Sequence, residues 1–232
     1  MNKIKDYTIV PMGHACMVAE ELKTLEIRNV SFPFDWLRIY DLEKILKLLK
    51  EKYDGKFLEK LYHNVYPYEF VINNKYKVLH FHDDFNNFKK TKDKFDRRIK
   101  RLKKLIDKNE NIIFFRYYPI DYNSYFSSFF NFPNRKPNKN KFIDEDKLCE
   151  IIINDGEIFC KYFNKPNVFL YQIIPFKNKI LENKQYNVIK FQKNILFNDL
   201  KIKIGNNFSD QSIVKKHINK TLKYIMKAQE KQ

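Results

Sequence analysis

The chain has 232 residues, 44% of them hydrophobic and including 22 Phe and 15 Tyr, which is ample for one large core and excludes global disorder. A single domain over residues 1–232 is therefore expected. The balance of 45 basic against 28 acidic residues gives a formal charge of +17, a field that attracts anions, but the excess is mainly Lys in a chain crowded with Asn, Ile, Phe and Tyr, a composition that codon bias in an AT-rich genome produces by itself.

"YTIVPMG" at 7–13 is a short apolar run closed by Pro and Gly, which predicts a buried first strand and a tight turn. A helix follows, because Val18, Ala19, Leu22 and Leu25 recur at the spacing that lines one helical face, with Glu20, Glu21 and Lys23 on the other side. Cys16 falls near the start of that helix. After "RNVSFPFDW", Asp41 is a candidate cap for a second helix carrying Leu42, Ile45, Leu46 and Leu49. "YEFVINNKYKVLHFH" predicts a β-hairpin turning at Asn73 and Asn74, which tolerate positive φ.

Residues 94–108 carry the clearest helical stripe, Phe95, Ile99, Leu102, Leu105 and Ile106, surrounded by basic residues. "NIIFFRYY" at 111–118, "NVFLYQIIP" and "YNVIKFQ" are continuous apolar runs of the type found in a sheet covered on both faces. Helical patterns lie at 144–163, with an interruption expected at Asp155 and Gly156, and at 209–228, with Ser209 as cap. The alternation predicts an α/β fold, a three-layer sandwich with a mostly parallel sheet plus one β-hairpin. A long aromatic and basic loop at 122–142 interrupts the rhythm, and its aromatics suit a lid or cover.

Cys16, Cys149 and Cys160 form no CxxC pair, so neither a disulfide framework nor a structural zinc site is expected, and a reducing compartment is the default. No 18-residue apolar span occurs, and the N-terminal apolar run is too short for a leader peptide. A cytoplasmic protein without a membrane span is the expectation. There is no phosphate-binding glycine loop, and His14, Cys16, His80 and His82 match no standard metal spacing, so no cofactor and no metal are expected.

Chemistry can be built around Cys16. A helix N-terminus favours a thiolate, and N–H groups near Met12 and Gly13 can stabilise an oxyanion. A nucleophilic cysteine needs a base, and strand alternation in "VLHFHDD" puts His80 and His82 on one face, with Asp83 and Asp84 at the strand's end. His82, nearer that end, is the better base. Gly13 and His14 adjoin the nucleophile and would contact substrate, His14 ranking second as base. In "SFPFDW" at 31–36 the aromatics anchor a turn that holds Asp35 near buried surface, where it orients a histidine, caps the helix or binds an arginine. Arg116, ending a buried strand, either pairs an acidic core residue or grips an anionic substrate.

The combination "MGHACMVAEELKTLEIRNVSFPFDW", "HDDF" and "FDRRIKRLKKLIDKNENIIFFR" resembles a family known as papain-like cysteine peptidases and also listed as a domain of unknown function. The resemblance runs to Arg116. It rests on Gly13, Cys16 and Ala19, then Ser31, Pro33, Phe34, Asp35 and Trp36, then His82 and Asp83, with Asp84 an extra acid. It implies a cysteine-dependent hydrolase acting on a peptide or acyl substrate, with Cys16 as nucleophile, His82 as base and Asp83 or Asp35 as orienting acid. Papain-like enzymes place their histidine on a strand of an antiparallel sheet; the alternating pattern here also resembles the layout of esterase-like α/β sandwiches. The alternative reading is a non-enzymatic module that binds nucleic acid or another polyanion through the helix face of Arg97, Arg98, Lys100, Arg101 and Lys104 and the basic loop at 134–141. More simply, that face is the solvated side of an amphipathic helix.

Overall fold

A computed structural model describes residues 7–13, 16–39, 42–51, 61–62, 71–73, 76, 78–80, 82–84, 86–117, 145–165, 167–173 and 189–191, together with Asn219 and Lys223. It holds mixed helix and strand, with one small parallel sheet and one antiparallel sheet. The parallel sheet has the order β1–β6–β7–β8, formed by β1 (Thr8–Pro11), β6 (Ile112–Tyr117), β7 (Val168–Ile173) and β8 (Ile189–Phe191). The three apolar runs supply β6, β7 and β8. β6 lies between β1 and β7, with Val10 beside Phe114 and Phe114 beside Leu170.

Phe114 meets Phe159 and Phe163 of a helix, α4 (Glu145–Phe163), at ring-centroid distances of 5.4 and 5.0 Å. Its neighbours Ile113 and Phe115, which alternation sends to the other face, are buried as well, and so is Arg116, so β6 is covered on both sides. Helix α1 (Met17–Thr24) packs on β6. Helix α2 (Leu42–Lys50) packs on α4, its Leu42, Ile45, Leu46, Leu48 and Leu49 being buried.

The antiparallel sheet has the order β2–β5–β4–β3, from β2 (Leu37–Ile39), β5 (Val78–His80), β4 (Val71–Asn73) and β3 (Leu61–Tyr62). Leu37 lies opposite His80 and Ile39 opposite Val78. The sequence pattern gives no sign of β2 or β3, because two or three residues are too few to show alternation.

Helix α3 (Phe88–Asp107) starts earlier than its apolar stripe, because Asn87 caps it by accepting from Lys90 N at 3.2 Å. Its inner face is Thr91, Phe95, Ile99 and Leu102. Helix α4 runs through Asp155 and Gly156 without the expected interruption; Asp155 is held by an ion pair to Arg116. Glu21, expected on the solvent side of α1, is instead buried and accepts from Asn219 Nδ2 at 3.0 Å. The loop at 122–142 and the Asp41 cap lie outside the described residues, as does the helix expected at 209–228 apart from Asn219 and Lys223, which are helical.

Candidate active site

β1 ends at Pro11, and the chain must turn before α1. Gly13 makes the turn with φ +68°, a left-handed conformation that side chains resist. A second constraint acts there: a Cβ at Gly13 would sit 3.3 Å from Ile39 Cβ. The β1–α1 turn therefore presses on β2, and the two sheets meet at this point. His14 lies outside the described residues.

Arg116 fastens the junction. Its side chain is fully buried, Nη1 donates to Met12 O at 3.0 Å and to Ile39 O at 3.4 Å, and Nε lies 3.5 Å from Asp155 Oδ2. One guanidinium thus ties β6, the β1–α1 turn, β2 and α4. Of the two roles its sequence position allows, pairing with an acidic core residue is the one seen.

Cys16 occupies the N-cap of α1 with helical backbone angles, φ −63° and ψ −21°, and its carbonyl accepts from Glu20 N at 2.9 Å. It is half-buried, whereas Cys149 is buried within α4. The three cysteines carry no disulfide. The thiol stands at the positive end of the α1 dipole, just past the carboxyl end of a parallel strand, where ligand crevices of α/β sheets open.

The two histidines of "HFHDD" separate because β5 stops at His80. His80 turns inward, packing edge-on against Phe95 at 5.4 Å, and its Nδ1 lies 2.8 Å from Asp83 Oδ2. Lys94 Nζ donates to the other oxygen, Asp83 Oδ1. Burial pulls the His80 imidazole below its usual titration range, outweighing Asp83, which acts to raise it. Burial alone would raise the Asp83 carboxyl, but the bonds from His80 and Lys94 hold it below the ordinary range. The pair at neutral pH is therefore a neutral imidazole donating Nδ1–H to a carboxylate. His82 is exposed and meets the ring of Trp36 at 5.6 Å, edge to face.

Trp36 belongs to "SFPFDW", whose Phe32 and Phe34 are core residues. Asp35 is fully buried; its Oδ2 accepts from Phe32 N at 3.0 Å and from Arg28 Nη2. Burial pushes the Asp35 carboxyl up, against the opposing pull of Arg28. Arg28 also donates to Ser31 Oγ at 2.8 Å, and its guanidinium lies 5.4 Å from the Trp36 ring centre. Arg28 was not visible as a site residue in the sequence, where a lone Arg after "LEI" has no distinguishing spacing.

The basic face of α3 is divided. Arg101 donates to Ser31 O, and Arg98 is half-buried beside Phe95, its charge facing Asp35 and Asp83, so that only Arg97, Lys100 and Lys104 of the five stand exposed. Arg98 and Arg101 serve the site's interior. Among the described residues no group of three or more His, Cys, Asp or Glu side chains could hold a metal ion, and no helix is long and apolar enough to cross a membrane.

A cysteine heading the first helix of a small parallel sheet, with a His–Asp pair and an exposed histidine at the end of an inner strand of an adjoining antiparallel sheet, defines a mixed α/β protein with a candidate thiol site. Residues 7–125, just over half of the chain, match the family described as "Putative papain-like cysteine peptidase (DUF1796)", and the chain belongs to that family. Comparison with curated proteins and with solved structures gives no match.

Proposed function

We propose that the protein is a cysteine-dependent hydrolase acting on a peptide or other acyl substrate in a reducing compartment, the cytoplasm, and that its single three-layer domain is built around this site. The observation that carries the reading is the position of Cys16, half-buried at the N-cap of α1 directly beyond β1, inside the segment that matches the peptidase family. In this reading the Cys16 thiol loses its proton to His82, and the thiolate attacks the substrate carbonyl carbon. The oxyanion is received by backbone N–H groups at Gly13 and the start of α1; Met12 N, also expected to contribute, instead donates to Phe115 O at 2.9 Å. His82 returns the proton to the departing amine, leaving a thioester that water hydrolyses with His82 as base.

The two acids act on the walls of the site. Asp83, bonded to His80 and Lys94, fixes the 82–84 loop that carries His82; Asp35, bonded to Arg28 and Phe32 N, fixes Trp36, which His82 touches. Arg116 supports substrate binding by holding Met12 and the turn ahead of Cys16.

An activated acetyl ester such as p-nitrophenyl acetate tests the reading. Rapid quenching followed by intact-mass analysis should find a single acetyl group on Cys16 that disappears with time, and neither Cys16→Ser nor His82→Ala should turn over. Acetylation spread over lysines, with Cys16 unmodified, would sink the proposal.

A further inference from the structure

We infer that Arg28 is a positioning residue for His82, acting through Trp36; the inference rests on the reading of His82 as the base. Arg28 is 10% exposed in its side chain, and three separate contacts hold it: Asp35 Oδ2, Ser31 Oγ and the face of Trp36. An arginine needs only one of these to be satisfied as an ion. Two carboxylate and hydroxyl acceptors on one side fix the guanidinium plane, and a fixed cation at 5.4 Å from an indole centre attracts the ring's electron-rich face. Trp36 is thereby held in one rotamer, although it is only half-buried and core packing alone does not lock it.

The consequence falls on His82. This side chain is exposed, and the ring contact it makes is with Trp36. An exposed imidazole loses rotamer freedom when it meets a rigid aromatic wall; against a mobile wall it does not. The order of support therefore runs from Asp35 to Arg28, from Arg28 to Trp36, and from Trp36 to His82. It explains why a charged pair sits buried within a turn that Phe32 and Phe34 already anchor in the core. A salt bridge in that position adds little stability over an apolar pair. What it adds is a cation of fixed position beneath the one indole that the base touches.

Trp36 is the sole tryptophan of the chain, so its fluorescence reports this contact directly. Removing the imidazole in His82→Ala should change the intensity of Trp36 emission at constant pH. Arg28→Met, which frees the ring, should change it by a similar amount and add fast depolarisation of the emission, and Arg28→Lys, which keeps a cation over the ring, should restore part of both. Because Arg28→Met leaves Asp35 buried without its partner and threatens folding, the paired variant Arg28→Met with Asp35→Asn is measured too, with folding checked by circular dichroism. Trp36 emission of unchanged intensity and unchanged depolarisation in folded protein lacking Arg28 overturns the inference. Cys16 plays no part in this readout. Failure here leaves the hydrolase proposal standing, whereas failure of Cys16 acetylation removes the base to be positioned and leaves only the Arg28–Trp36–His82 contact.

Discussion

Replacing Arg116 with methionine removes a buried cation and strands the groups it serves. Asp155, 3% exposed in its side chain, loses the guanidinium 3.5 Å away, and Met12 O and Ile39 O lose their donor. Breaking a buried ion pair from one side costs about 3–5 kcal/mol, and each buried carbonyl left without its donor adds about 1–3 kcal/mol. These do not add fully, because the loosened turn can admit water. Even so, about 4 kcal/mol is a large share of the roughly 5–15 kcal/mol that holds a domain folded. Arg116→Met should therefore shift the urea midpoint far down or prevent folding at 37 °C. Arg116→Lys should recover little, since one ammonium cannot reproduce a planar fork that reaches two carbonyls and a carboxylate. The double variant Arg116→Met with Asp155→Leu should recover about half of the loss, because no charge then remains buried alone. A single Arg116→Met variant that loses less than about 1 kcal/mol would refute the argument that this guanidinium joins the two sheets.

Three further outcomes follow from the geometry. Gly13→Ala should cost about 1–2 kcal/mol for the left-handed backbone alone, with more for the approach to Ile39, and its urea midpoint should fall; an unchanged midpoint would mean the turn is not held as described. His80 titrates below its unfolded value of 6.5, so the unfolded chain takes up its proton first and stability should fall as pH drops from about 7 toward 5, by up to about 1.4 kcal/mol per pH unit. Asp83, also depressed, contributes stability above 3.8 that is lost only as pH falls through its lower folded value. His80→Gln should flatten the slope between pH 7 and 5, and an identical slope in the variant would contradict the assignment. Phe114→Ala, which empties the contact with Phe159 and Phe163, should cost about 3–5 kcal/mol in chemical denaturation, whereas a loss under about 1 kcal/mol would place the core elsewhere.

The parallel sheet was legible because its strands are buried on both faces: "IIFFRY" and "VFLYQI" carry their apolar side chains without alternation, and nothing but a covered sheet or a buried helix accommodates that. The start of α1 was legible from Pro11, Gly13 and the stripe of Val18, Ala19 and Leu22. The antiparallel sheet was legible only in part: β4 and β5, which pair antiparallel, fall in the stretch expected to form a hairpin, but β2 and β3 are defined by their partners rather than by a pattern of their own. It bears directly on the site, for His80 ends a strand of that sheet, so the cysteine follows a parallel strand while the histidines come from an antiparallel one. Strand alternation also put His80 and His82 on one face, but β5 ends at the first of them, leaving one histidine in the core and the other in solvent. Glu21, Arg28 and Arg101 looked like ordinary surface charge because their partners, Asn219, Asp35 and Ser31 O, are set by tertiary contact. Asp35 was expected to orient a histidine, cap the helix or bind an arginine, and Arg28 takes it.

The central claim is that Cys16 is a thiol activated by its place in the fold. Iodoacetamide labelling of the native protein, followed by peptide mass mapping over time, tests it most directly. Cys16 should be alkylated well before Cys149, which α4 buries, and before half-buried Cys160, and its rate should drop in His82→Ala while the other two are unchanged. Equal rates at Cys16 and Cys160, or a Cys16 rate indifferent to His82, would contradict the account.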